Sequence, residues 1–128
     1  MATWDDVRRV ALDLPGAVED AGPRTTSWRV GSKAFAWERL LRRGERERLG
    51  DRAPDGPALG LRTADPGVVD ALVTAQPDVY FTVAGYGLHP MVLLRVEAAS
   101  FEDLDEALTE AWLCRAPRRL RERFLAGG

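Results

Sequence analysis

Ser27-Trp28-Arg29-Val30-Gly31-Ser32-Lys33-Ala34-Phe35-Ala36-Trp37 is the stretch on which the fold turns. Two short runs carrying aromatic and branched residues flank Gly31-Ser32, a pair suited to a tight turn, so the pattern predicts a β-hairpin. Upstream, Thr3 has the character of a helix N-cap, with Asp5 and Asp6 in the first turn, where acids favour the helix dipole. Trp4, Val7, Val10, Ala11 and Leu14 recur at helical spacing, and Pro15-Gly16 ends that helix. A loop containing Gly22-Pro23 then leads into the hairpin.

Downstream, apolar residues thin out from Arg42 to Pro57, which reads as a long exposed connection. Ala58 to Arg62 is a third strand. Asp65 caps a second helix with Pro66 at its first position, where the missing N–H costs nothing, and Pro77 ends it. Val79 to Val83 and Met91 to Val96 are a strand pair joined across residues 84–90. Ser100-Phe101-Glu102-Asp103 has the spacing of a capping box and opens a third helix, with Phe101, Leu104, Ala107, Leu108, Ala111 and Trp112 on one face. Pro117 interrupts it before a last basic turn or two. The order is α-β-β-β-α-β-β-α. It specifies one α+β domain over residues 1–128, a largely antiparallel sheet packed against helices, with 117–128 as a basic C-terminal extension.

Composition narrows the chemistry. One cysteine, Cys114, and one histidine, His89, exclude an internal disulfide, a cysteine metal cluster and a His-rich metal site. No cofactor or metal is expected. The N-terminus lacks the basic-then-apolar pattern of a signal peptide, and no apolar run approaches bilayer length, so the expectation is a cytoplasmic protein, monomer or weak dimer. The formal net charge is −2, with 18 basic residues of which Lys33 is the single lysine. Isoleucine and asparagine are absent as well; a GC-rich genome accounts for all three biases.

Four separated stretches resemble the MmcQ/YjbR-like family of small bacterial proteins. They are Trp4-Asp5-Asp6-Val7-Arg8-Arg9 leading to Ala11–Glu19, Ser27–Ala36, Gly87-Leu88-His89-Pro90-Met91 running to Val96, and Leu104–Trp112, trailed by Ala116–Leu120. The resemblance covers nearly the whole chain apart from residues 43–57. It implies an α+β fold with projecting hairpins, likened to a double-winged DNA-binding arrangement.

The charges supply the leading functional expectation. Arg39 to Arg52 holds six arginines against three acids, Arg115 to Arg123 holds five against Glu122, and Glu97 to Glu110 holds six acids with no base. Such an asymmetry lets local potential steer a polyanion despite negative net charge. DNA contacts are expected from Arg42, Arg43, Arg46 and Arg48 on a first wing, from Tyr86 (by base stacking) and His89 on a second, and from Arg115, Arg118 and Arg119 beside the last helix. Alternating charge on solvated loops is the plain alternative for these segments. A different class of function, small-molecule or protein-partner binding, would use the sheet surface around Trp28, Lys33, Phe35 and Tyr86. An enzyme is not expected: Ser27 and Ser100 have no histidine partner, paired acids open helices, and Cys114 reads as a buried structural thiol.

Overall fold

A computed structural model describes residues 1–83 and 90–127. Helix α1 (Trp4–Asp13) begins with the expected cap: the Asp6 amide donates to Thr3 Oγ1 at 3.2 Å and the Thr3 amide to Asp6 Oδ2 at 3.0 Å. Two donors that the first turn leaves orphaned are satisfied this way. Strands β1 (Ala17–Ala21), β2 (Thr26–Val30) and β3 (Lys33–Arg39) follow, with Gly31 at φ 61° in the β2–β3 turn. β1 lies where a loop is expected. It is an edge strand paired on one side, so little of it is buried and its polar sequence carries no strand pattern.

Next come α2 (Arg43–Leu49), β4 (Ala58–Arg62), α3 (Pro66–Ala75), β5 (Tyr80–Phe81), β6 (Met91–Leu94), α4 (Phe101–Arg115) and α5 (Arg118–Leu125). The α+β class holds, with β1, α2 and a full helix α5 added to the expected order. Every neighbouring strand pair is antiparallel, in the order β1-β2-β3-β4-β6-β5. Asp65 and Ser100 cap α3 and α4 as their spacing predicts.

Because side chains alternate across a strand, each strand feeds two layers. Trp28, Ala36, Leu59, Leu61, Val92 and Leu94 face the main core, built with α1, α3 and α4, and Leu120 and Phe124 of α5 pack against it. Ala58, Leu93 and Phe81 face the other side, where Leu41 and Leu49 cover them. The β2–β3 register shifts at Trp28/Arg29, opposite Phe35, which turns inward as the extra residue of a bulge. Trp28 and Phe35 are therefore buried, at 3% and 0% exposure. Neither offers a ring to a ligand, which corrects the expected part of these two residues in a sheet-surface site.

The segment expected to be a solvated hairpin tip is instead helix α2, held by charge. Arg39 grips Glu45 with two bonds of 3.0 and 2.9 Å, and the Arg42 amide donates to the same carboxylate at 2.8 Å. Arg46 donates to the carbonyls of Pro54 and Gly56 at 2.6 and 2.9 Å. Beyond it, Arg95 is buried and donates to the carbonyls of Arg52, Pro77 and Asp78, its guanidinium 4.3 Å over the Phe81 ring. These bonds replace the apolar stripe that a sequence search looks for.

The Arg39 bonds hold the Glu45 carboxyl below its ordinary value of 4.5, against the opposing effect of burial. A depressed carboxylate stabilises the fold above its unfolded value, and that stability is lost as pH falls through the lower folded one. Glu45→Gln should lower unfolding free energy in urea by about 1–3 kcal/mol near neutral pH. The difference from wild type should shrink as pH drops below 4.5; a difference independent of pH would contradict this role.

Candidate anion-binding cleft

The expected basic segments do not form one surface. Leu49 anchors α2 on the Phe81–Leu93 side of the sheet, while Leu120 and Phe124 anchor α5 on the main-core side. A single duplex cannot lie along both without wrapping the sheet edge. Several of these arginines are also engaged. Arg46 ties down the 54–56 loop, Arg43 pairs with Glu47 at 3.3 Å, and Arg118 pairs with Glu122 at 2.8 Å. Arg42, Arg48 and Arg119 are not buried. Tyr86 and His89 lie outside the described residues.

What the fold does bring together is a different set, drawn from both expectations. β3 begins at Lys33, β4 ends at Arg62 opposite Met91 at the start of β6, and α4 ends at Arg115. These ends meet at one end of the sheet. Lys33, Ala34, Trp37, Arg62, Met91 and Arg115 line a cavity of about 390 Å³. A second cavity, of about 510 Å³, shares Arg62 and Arg115 and adds Glu110, Cys114 and Arg121. Four cations thus line one continuous cleft, with Glu110 as the acid among them.

Two details mark this cleft as built. Trp37 lies over Gly60: a Cβ there would sit 2.2 Å from the indole Nε1, so only glycine lets the ring rest on the strand. The Arg62 guanidinium stands 6.0 Å from the Trp37 ring, at the outer limit of cation–π range. The second detail is Arg115 Nε, which is buried and has no hydrogen-bond partner among the described residues. Buried donors are rarely left so. Sequence reading did not single out Trp37 and Arg62, which are isolated from the basic clusters, nor Arg121, which it counted within the C-terminal cluster without assigning it a contact; only strand and helix ends collect them.

Beside the cleft, a chamber of about 260 Å³ opens between α3 and α4. Leu61, Tyr80 and Val92 line it from the sheet and Val68 and Leu72 from α3, while Asp103, Glu106 and Glu110 lie along α4. Burial, with Asp103 and Glu106 nearby, pushes the Tyr80 hydroxyl up to about 12, so it remains protonated. The Ser100 amide holds the Asp103 carboxyl below its ordinary range. Cys114, expected to be buried, is an exposed residue lining both the chamber and the cleft. Desolvation of its sulfur and then Glu110 push the thiol above its ordinary value of 9.0, against the pull of Arg115 and Arg62.

Fold and cleft together define a small α+β domain in which one end of an antiparallel sheet gathers cations from four separate elements. The YjbR family model matches residues 12–114, and the chain belongs to that family. Rv2570 of Mycobacterium tuberculosis and Mb2600 of Mycobacterium bovis, both described as uncharacterized, are each 46% identical over 129 residues, covering 98% of this chain and 98% of theirs. The crystal structure of Deinococcus radiodurans protein DR2400, a DUF419-domain protein, superposes with a TM-score of 0.61 at 25% identity, covering 88% of this chain and 78% of that one. No described helix is long and apolar enough to cross a membrane.

The Cys114 environment has a direct readout. A raised thiol value leaves little thiolate at neutral pH, so reaction with an aromatic disulfide should be slow at pH 7 and climb steeply above pH 9. Glu110→Gln should shift that rise to lower pH. An unchanged profile in the variant would show that Glu110 does not act on the thiol.

Proposed function

We propose that the chain is a non-enzymatic binding module that holds a small anionic ligand in the sheet-end cleft. Lys33, Arg62, Arg115 and Arg121 meet the anion, and Trp37 supplies a flat apolar wall. The observation that carries this reading is the convergence of four cations from separate elements, one with a buried donor lacking a described partner. Arginine's fork suits carboxylate and phosphate oxygens, and a partly walled cleft screens its charge less than open solvent does. Cys114, the nucleophile on the cleft wall, is held in its unreactive protonated form, which supports binding without catalysis. The chain acts in the cytoplasm as a monomer or weak dimer.

DNA binding is the second reading, favoured by the exposed arginines of α2, chiefly Arg43 and Arg48. It requires a local contact, since α2 and α5 flank opposite faces of the sheet. One pair of titrations separates the two. The dye 8-anilino-1-naphthalenesulfonate, which joins a sulfonate to aromatic rings, should brighten on binding, and Arg115→Gln with Arg121→Gln should weaken it about tenfold or more. Changing Arg43 and Arg48 to Gln should leave dye binding unaltered. A labelled duplex should show little anisotropy change at low salt. Duplex binding whose salt slope falls in the α2 variant would transfer the function to DNA.

A further inference from the structure

The cleft and the chamber between α3 and α4 share Arg62, Thr63, Glu110 and Cys114, so a ligand held in the first can extend into the second. From this continuity, and on the reading that the cleft holds an anion, we propose that the ligand is an amphiphilic monoanion: an anionic head among the arginines and an apolar tail in the chamber.

Size, lining and charge each narrow the tail. The chamber's 260 Å³ is about nine water-sized volumes at ~30 Å³ each, which sets a tail of roughly eight heavy atoms. Its apolar lining is Leu61, Val68, Leu72, Tyr80 and Val92, with the Tyr80 hydroxyl kept neutral, so alkyl groups gain by leaving water. Charge then fixes the direction. The chamber end distant from the arginines carries Asp103 and Glu106, and no cation among its described lining residues opposes them there. Arg62, Arg115 and Arg121 stand at the other end. A ligand with one anion is drawn head-first to the arginines. A second anion at the far end of the tail would face two carboxylates in a confined space, a repulsive element that selects against diacids.

Isothermal titration of the full chain with butanoate, octanoate and octanedioate tests this. Each methylene that leaves water is worth about fourfold in affinity, so octanoate should bind at least tenfold more tightly than butanoate. Octanedioate should bind at least tenfold more weakly than octanoate, and Glu106→Gln should recover part of that loss. Val68→Trp, at the exposed chamber rim, should reduce the chain-length gain. Octanoate should also slow Cys114 modification, since the thiol lines both spaces. Equal binding of butanoate and octanoate, both weakened by Arg115→Gln, would overturn the tail and leave the anion reading standing. Equal binding of octanoate and octanedioate would overturn the charge selection. No binding of any of the three, together with failure of the dye titration, would overturn the anion reading itself.

Discussion

The bond from the Trp112 indole Nε1 to the Pro15 carbonyl, 2.9 Å long, ties the end of α4 to the end of α1 across 97 residues of sequence. Trp112 is fully buried, its ring centroid 5.0 Å from that of Phe124 in α5. Gly16, at φ 70°, follows Pro15, and a Cβ there would meet Leu120 of α5 at 3.2 Å. Three helices are thus fixed at one point. That point lies one helical turn before Arg115, so it also decides where the cleft's central cation stands. A buried donor with a single carbonyl partner is costly to leave unpaired, which makes this contact directional where apolar packing is not.

Elements with an apolar pattern were legible in the sequence, and those held by charge were not. Thr3, Asp65 and Ser100 announced their helices because capping chemistry is local. The β2–β3 hairpin and β4 followed from aromatic and aliphatic runs with turn residues between. α2 left no such trace: Glu45 is buried because Arg39, 6 residues earlier, neutralises it, and that pairing is tertiary. Phe101 shows the reverse error, an apolar residue at helical spacing that the fold leaves 51% exposed.

The candidate site was half legible. Lys33 and Arg115 were singled out for different reasons, and the structure places both on one cavity. Clusters of arginine along the chain drew attention to residues 42–48, where the fold spends several charges on its own carbonyls and carboxylates. The arginines that converge in space, Arg62, Arg115 and Arg121, lie far apart in sequence or on different helices. Linear charge density was therefore a poor guide, because a cleft at the end of a sheet samples one residue per strand.

The cleft gives the molecule a polarity that its net charge of −2 conceals, with acids along one side of α4 and cations at its C-terminal end. The most direct test of the claim that this end gathers an anion is a ¹H–¹⁵N correlation titration with octanoate. The account predicts saturable shifts of the Trp37 indole N–H and of the Lys33, Arg62 and Arg115 amides, with residues 43–49 unmoved. Saturable shifts centred on residues 43–49, with the Trp37 indole silent, would contradict it.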